Sequence, residues 1–201
     1  KTEYKFVFGD WSSDVCSSDL VSPTYDKVRI LWRYILRLLP PHWVCDVNIA
    51  ERWIQLHNGH RIQFLSAFKP DTLIGEGVSW MAFDESQSIS DQAIDLALPA
   101  LSDGGLDFQV WHTGTLRPGE FKRRIQKYTE EGARIHRLRT DQNPFIAQGE
   151  GSAIDLARKV MDPSRYRREI LAEWASEDGM VYYQFDRKLH MRPYTPALNN
   201  G

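Results

Sequence analysis

The sequence predicts an α/β fold in which a mostly parallel β-sheet is flanked by helices and carries a β-hairpin insertion. Short apolar runs alternate with helical stretches in the second half of the chain, which is the order of elements in a doubly wound sheet. An Asn58-Gly59 pair between two strand-like runs indicates the hairpin. The 201 residues, 42% of them apolar, can form one substantial core.

Composition excludes several classes of protein. The formal net charge of −2 does not suit a protein that coats nucleic acid, so any contact with DNA needs a local basic patch. No apolar run approaches the roughly 18 residues needed to span a bilayer, and the N-terminus has no signal-peptide pattern. The two cysteines, Cys16 and Cys45, fit a reducing compartment better than a disulfide framework. We therefore expect a cytosolic protein without a membrane partner.

One segment near the start has an unusual composition. Asp10 to Leu20 match the translation of a short-read sequencing adapter at all eleven positions, although a polar Ser/Asp loop is the ordinary alternative. We interpret this segment as an artefact and leave it out of the fold prediction. Authentic sequence between Gly9 and Val21 is then expected to have been lost at the same junction.

A helix and a hairpin are predicted in the first half of the chain. The helix follows the cap signal Ser22-Pro23-Thr24, has apolar residues at i, i+3, i+4 and i+7, and ends before Pro40-Pro41. Its basic side chains could contact phosphates, but a solvated face is the more ordinary interpretation; they are Lys27, Arg29, Arg33 and Arg37. The hairpin pairs Trp53–Leu56 with Ile62–Leu65.

Two acidic residues follow a strand that we expect to be buried. Val78–Phe83 is a short apolar run, and Asp84 and Glu85 come directly after it. Ligands of open α/β sheets bind beyond the carboxyl ends of the strands. Hydrolysis of a nucleoside triphosphate needs one carboxylate to hold Mg²⁺ and a second to orient the attacking water. The alternative is that the two acids simply open a solvent-facing loop.

The next elements along the chain are a helix and a second strand that also ends in polar residues. Ser90–Leu101 is predicted as a helix, and Phe108–His112 as a second buried strand that ends at Thr113-Gly114-Thr115. The two threonine hydroxyls could contact a phosphate there, whereas an ordinary turn is the alternative. A helix at Pro118–Tyr128, a third strand at Ala133–Leu138 and a helix at Ser164–Ala175 complete the prediction.

A basic stripe lies in the same part of the chain. Eight basic residues stand against three acidic ones between residues 117 and 139: Arg117, Lys122, Arg123, Arg124, Lys127, Arg134, Arg137 and Arg139. The stripe could face DNA phosphates or the nucleotide of a neighbouring subunit. A solvated helix and strand edge is the alternative.

The order of these motifs resembles the ATPase domain of the large terminases of tailed phages. The resemblance covers nearly all of residues 21 to 185 and rests on a series of motifs: VSPTY, the Asn-Gly hairpin, DTLIGEG leading into MAFDES, LALPALSD, HTGT and TDQNP. It implies a P-loop NTPase-like fold. Leu116 and Ile74 depart from the proline and arginine that the family often has at these points.

The resemblance also implies the roles of the site residues. Asp84 would bind Mg²⁺ and Glu85 would be catalytic, while Thr113, Gly114 and Thr115 match the motif that couples hydrolysis to movement. ATP and Mg²⁺ are the implied cofactors. Double-stranded DNA, a portal protein, a small terminase subunit and a homo-oligomeric ring are the implied partners, in the cytoplasm of the host cell.

The phosphate-binding loop expected of such a protein is missing from the sequence. The loop needs Gly-Lys-Ser/Thr to cradle phosphates, yet no glycine in the chain is followed by lysine. Tyr4–Gly9 resembles the strand that enters this loop, so we expect that the loop was lost at the artefact junction. The predicted organisation is a remnant of the first strand (1–9), the artefact (10–20), an incomplete ATPase domain (21–175) and a linker toward an absent nuclease domain (176–201).

Three functions remain open at this stage. The first is an ATPase motor domain that moves DNA into a procapsid. The second is a non-catalytic P-loop-like remnant that binds DNA or a partner protein, which suits the chain as it stands because the fragment is expected to be inactive. The third is a helicase-like P-loop ATPase, since Asp-Glu after a buried strand is shared with that class.

Overall fold

The computed structural model describes residues 17–74, 77–104, 108–117 and 119–174. Within these ranges six strands form one sheet: β1 (Ser17–Ser22), β2 (Val44–Asn48), β3 (Trp53–Leu56), β4 (Arg61–Ser66), β5 (Trp80–Phe83) and β6 (Gln109–His112). The α-helices are α1 (Tyr25–Leu38), α2 (Asp91–Ala97), α3 (Glu120–Glu130), α4 (Ala153–Val160) and α5 (Pro163–Glu169). No helix in these ranges has both the length and the apolar character needed to cross a membrane.

The sheet has the predicted mixed topology, with the strand order β2-β3-β4-β1-β5-β6. Strand β1 is parallel to both β4 and β5, and β5 is parallel to β6. Strand β3 is antiparallel to both β2 and β4, so the predicted hairpin is confirmed and extended by one strand. The predicted α/β class, with a mostly parallel sheet and a hairpin insertion, is confirmed.

The central strand contains residues that the sequence interpretation had left out of the fold. Ser17–Leu20 form the first part of β1, where Leu20 pairs with Phe64 on one side and Ala82 on the other. Ser18 is buried, and its hydroxyl lies 3.0 Å from Nε2 of His60. The polar side chains are accommodated because hydrogen bonds replace their contacts with water. The adapter origin and the domain boundaries stay predictions.

Apolar clusters cover both faces of the sheet. On one face α1 packs with its apolar stripe against β1, β3 and β4, and Trp32 meets the Phe64 ring edge-on at 5.0 Å. On the other face α2 packs against β5 through Ala93, Ile94 and Ala97. Hydroxyl groups cap both helices, because Thr24 accepts from the Lys27 amide and Ser90 accepts from the Ala93 amide. The sheet is therefore held between helices as predicted.

Three details of the predicted elements were wrong. Strand β6 lies at the edge of the described sheet with exposed and half-buried residues alternating, because only β5 pairs with it there. Residues 133–138, all described, form neither helix nor strand and are exposed, since no neighbouring strand pairs with them. The helix predicted at Ser164–Ala175 is shorter, from Pro163 to Glu169, and Ala172 beyond it has a left-handed backbone (φ 50°) that no right-handed helix allows. The segments at 1–9 and 176–201 lie outside the described residues.

Candidate functional site

The carboxyl ends of β1, β5 and β6 meet at one edge of the sheet. The Asp84 amide donates to the Val21 carbonyl at 2.8 Å, which joins the end of β5 to β1. The Thr113 amide donates to the Phe83 carbonyl at 3.0 Å, and the Ser86 amide donates back to the Thr113 carbonyl at 2.8 Å. The structure thus brings the two acids and the Thr-Gly-Thr segment together, as parallel strand ends require.

Asp84 has a defined orientation at this edge. The Thr113 hydroxyl donates to Oδ1 of Asp84 at 2.9 Å, and both side chains are half-buried. A hydroxyl donor on one carboxylate oxygen limits rotation of the carboxylate. Thr113 therefore positions the residue that we expect to bind Mg²⁺.

The side chain of Glu85 points in a different direction from that of Asp84, because the Glu85 backbone is left-handed. Its φ of 49° and ψ of 43° lie in a region that non-glycine residues seldom occupy, at a cost of about 1–3 kcal/mol. Its Oε1 atom accepts from Nζ of Lys27 at 2.6 Å. Both side chains are partly exposed, so this ion pair adds little stability. Lys27, which the sequence interpretation placed on a solvated face, thus contacts the predicted catalytic residue.

An open cleft lies beside Glu85. Its volume is ≈ 520 Å³, and its lining residues come from the loops after β1, β4 and β5 and from the start of α1: Pro23, Thr24, Lys27, Ala67, Phe68, Glu85, Ser88, Ile89 and Ser90. Glu85 and Lys27 are the charged groups of this lining. The cleft gives solvent and small polar ligands access to the Glu85 carboxylate.

Gly114 brings the loop after β6 close to the loop after β5. A Cβ atom at this position would lie 2.4 Å from Oε1 of Gln87 and 3.0 Å from Cζ of Phe121. The Thr115 amide donates to the same Gln87 oxygen at 3.2 Å. A side chain at position 114 would therefore have to displace the end of Gln87 and press on the Phe121 ring, and the Thr-Gly-Thr segment is in direct contact with the residues that follow Glu85.

A buried polar cluster lies beneath the two loops. The Ser86 hydroxyl is 2.9 Å from Nδ1 of His112, whose ring stacks on Phe83 with centroids 4.9 Å apart. The Arg124 guanidinium from α3 donates to both oxygens of Ser86. Burial, and then the positive charge of Arg124, lower the pKa of His112 from 6.5 to about 4. His112 is therefore neutral at physiological pH.

Two of these contacts were not predicted from the sequence. Arg124 was counted in an exposed basic stripe, although it lies three residues after Phe121 and four before Tyr128, which places it on the inner face of α3. That spacing was a usable signal. Nothing local identifies Lys27 as a partner of Glu85, because the two residues are 58 positions apart.

The donor atoms at this edge suit a metal ion that is bound by one carboxylate together with the phosphates of a nucleotide. In the described ranges no group of three or more His, Cys, Asp and Glu side chains could hold a metal ion. Mg²⁺ in nucleotide sites typically takes one or two carboxylates together with phosphate oxygens and waters. A single carboxylate at Asp84 with the Thr113 hydroxyl beside it fits Mg²⁺ that arrives with a nucleotide.

Solved structures of phage large terminases share this fold, whereas no protein-family model and no curated protein matches the chain. The large terminase of a thermophilic bacteriophage aligns with a TM-score of 0.67 and 18% identity over 92% of this chain and 47% of that one. The large terminase ATPase domain of Thermus phage P74-26 aligns with a TM-score of 0.54 and 16% identity, covering 80% and 77%. The chain spans about half the length of the first of these proteins. Its fold is that of the ATPase domain of phage large terminases.

Proposed function

We propose that the chain is part of the ATP-hydrolysing motor of a DNA-packaging terminase, which couples hydrolysis to movement of DNA into a procapsid. The observation that carries this proposal is the junction of Asp84 and Glu85 with the Thr113 segment at the carboxyl edge of a mostly parallel sheet. The large terminase of the thermophilic bacteriophage has been solved with ADP and with ATP-gamma-S, which supports a nucleotide as the ligand of this fold.

The residues at this edge divide the chemistry of hydrolysis between them. Bound Mg²⁺ would neutralise charge on the phosphate oxygens. Asp84, oriented by the Thr113 hydroxyl, is the carboxylate that we assign to this ion. Glu85 faces the open cleft, where its carboxylate orients the attacking water and accepts its proton. Lys27 holds Oε1 of Glu85, so we assign the other carboxylate oxygen to the water.

The edge strand β6 supports the proposal that a further strand and helix belong here. Trp111 is 40% exposed and Phe108 is 50% exposed, although parallel sheets are normally covered on both faces. We assign this edge, which has no second strand beside it among the described residues, to the phosphate-binding loop with its strand and helix, the part that the sequence predicts to be missing. The Tyr4–Gly9 segment, outside the described residues, is the expected remnant of that strand.

The partners follow from the same proposal. We propose that double-stranded DNA, a portal protein and a small terminase subunit are the partners of the intact protein, which forms a homo-oligomeric ring in the host cytoplasm. The exposed basic side chains of α3 and its neighbouring loops are available for phosphates, among them Arg117, Arg123 and Lys127. Arg124 does not take part in such a surface because it is buried.

The decisive experiment is steady-state ATP hydrolysis by a version of the protein in which the phosphate-binding loop is restored. Glu85→Gln should lower turnover by roughly 10²- to 10⁴-fold while nucleotide still binds, because the water loses its base. Glu130→Gln is the matched control, since Glu130 is an exposed residue of α3. Unchanged turnover in Glu85→Gln would contradict the catalytic assignment.

The sequence favours a second candidate for the 201-residue chain as it stands, because it contains no Gly-Lys pair. Without a phosphate cradle the chain would act as a non-catalytic piece that binds DNA or a partner protein. Salt-dependent DNA binding without any ATP hydrolysis supports this candidate.

The third candidate, a helicase-like ATPase, is tested in the protein with the restored loop. Unwinding of duplex DNA would favour the helicase-like ATPase, whereas translocation along intact duplex DNA favours the terminase motor.

A further inference from the structure

Arg124 occupies an unusual place for an arginine on a surface helix. Its neighbours Lys122 and Arg123 are at least partly exposed, whereas Arg124 is only 7% exposed. A buried guanidinium costs free energy unless its N–H groups are paired. Here they are paired with one short segment, which follows Glu85.

Within the described residues, the hydrogen bonds that Arg124 donates go to residues between 86 and 91. Nη1 donates to the Ser86 carbonyl at 3.1 Å and to the Ser86 hydroxyl at 3.0 Å. Nη2 donates to the Ile89 carbonyl at 3.1 Å, and Nε donates to Asp91 at 2.8 Å. Nη2 also contacts Asp91, which completes the ion pair. One side chain of α3 thus holds both ends of the loop that leads from Glu85 into α2.

Ser86 connects this contact to the candidate catalytic residue. It is fully buried, its amide donates to the Thr113 carbonyl, and its hydroxyl also meets His112. Glu85 therefore lies between two residues whose amides are hydrogen-bonded, because the Asp84 amide donates to β1 and the Ser86 amide donates to Thr113. Its left-handed conformation persists only if both neighbours are held in place.

We propose that Arg124 is a positioning residue, which sets the conformation of Glu85 by holding Ser86 and the loop after it. The proposal rests on the proposed role of Glu85 in hydrolysis. Its physical basis is the planar fork of the guanidinium, which satisfies carbonyl, hydroxyl and carboxylate acceptors at once. A lysine ammonium is a single point donor and cannot reach all of these acceptors together.

A purely structural role makes a different prediction. If Arg124 only stabilised the core, a methionine of similar length would lower the free energy of unfolding, because buried acceptors lose their donor, but the folded variant would keep its turnover. If Arg124 positions Glu85, the methionine variant folds and binds nucleotide but hydrolyses it slowly. The separation of kcat from KM therefore distinguishes the two roles.

The test uses the version with the restored phosphate-binding loop. Arg124→Met should lower kcat by roughly 10- to 100-fold, the effect expected when a catalytic group is misplaced. The KM for ATP should change by less than about threefold, because nucleotide binding does not use Arg124. Arg124→Lys should recover part of the loss, and Arg165→Met, an exposed arginine of α5, should leave kcat and KM unchanged.

Glu85→Gln separates failure of this inference from failure of the proposed function. If Glu85→Gln keeps full turnover, the proposed function fails and takes the positioning role with it. If Glu85→Gln abolishes turnover while Arg124→Met retains it, only the positioning role is overturned. An equal loss of nucleotide affinity and turnover in Arg124→Met also overturns it.

A second variant decides the case in which Arg124→Met does not fold. Asp91→Asn keeps an oxygen acceptor for Arg124 but removes the charge that anchors the guanidinium. We expect a fall in kcat of roughly threefold or more with unchanged KM. Asp95→Asn, an exposed change on the same helix, is the control. Equal kcat in the two asparagine variants would overturn the proposal.

Discussion

At the scale of single residues, the two neighbouring acids are held in different ways. Asp84 directly follows the strand and accepts a hydrogen bond from Thr113, so its carboxylate is fixed by a partner. Glu85 leaves the strand through a left-handed conformation that turns its side chain toward Lys27 and the cleft. Strained backbone concentrates at sites where function requires it, and the neighbours of Glu85 maintain the strain here. The carboxylates of Asp84 and Glu85 can therefore contact two different ligands.

The backbone strain at Glu85 can be measured directly. Glu85→Gly and Glu85→Ala both remove the ion pair with Lys27, so they differ only at the backbone and Cβ. The glycine variant should unfold with a free energy about 1 kcal/mol higher than the alanine variant, because glycine adopts positive φ without a steric penalty. Urea denaturation measures the difference. At Gln126, an exposed position within α3, the order should reverse.

At the scale of elements, the loops after β5 and β6 form one unit. The two loops are joined by the Ser86 amide, by the Gln87 side chain and by the close approach at Gly114. Helix α3 adds a third contact through Arg124. A displacement of any one of these elements must move the others, because packed interiors have little free volume. This is the physical basis on which a segment at the end of β6 could respond to events at Glu85.

Gly114→Ala tests this close packing. The added Cβ would displace Oε1 of Gln87 from the Thr115 amide and press against the Phe121 ring, so we expect a loss of about 1 kcal/mol in the free energy of unfolding. Gln87→Ala alone should cost about 1 kcal/mol, because the Thr115 amide loses its acceptor. A double-mutant cycle should then show that the double variant is more stable than the sum predicts. Strict additivity would contradict direct packing between the loops.

At the scale of the whole molecule, one buried histidine and one half-buried histidine make the stability of the fold depend on pH. His60 is buried beside Ser18 of the central strand, and burial lowers its pKa from 6.5 to about 4. The pKa of His112 is lowered to the same value by burial and by Arg124. Both rings are neutral in the folded protein at pH values where the unfolded chain is already protonated. Acid therefore favours the unfolded state.

The free energy of unfolding should be flat above about pH 6.5 and fall steadily toward pH 4, because the unfolded state binds more protons in that window. Each histidine contributes at most about 3 kcal/mol of this loss. Urea unfolding at a series of pH values measures the slope. His60→Gln and His112→Gln should each reduce it, whereas His57→Gln, an exposed turn residue, should not. An unchanged slope in both buried-site variants would contradict the neutral state of these rings.

Much of the fold and part of the candidate site could be predicted from the sequence. The period of α1, the Asn-Gly turn and the apolar run before Asp84 are local signals, which depend on residues a few positions apart. They were enough to predict the class of fold and to place the two acids at a strand end. The run at 133–138 had the same local character but lacks a pairing partner, so it is not a strand.

The sequence by itself determined helices α1 to α3, the hairpin and the meeting of Asp84, Glu85 and Thr113 at one sheet edge, because periodicity and strand direction are properties of short segments. Only the tertiary structure decided that Ser17–Leu20 form part of the central strand, that β6 is the edge of the described sheet, that Lys27 meets Glu85 and that Arg124 is buried. These outcomes depend on partners 33 to 62 residues away or on strand order. The burial of a polar group depends on which distant group satisfies it, and no local pattern records that partner.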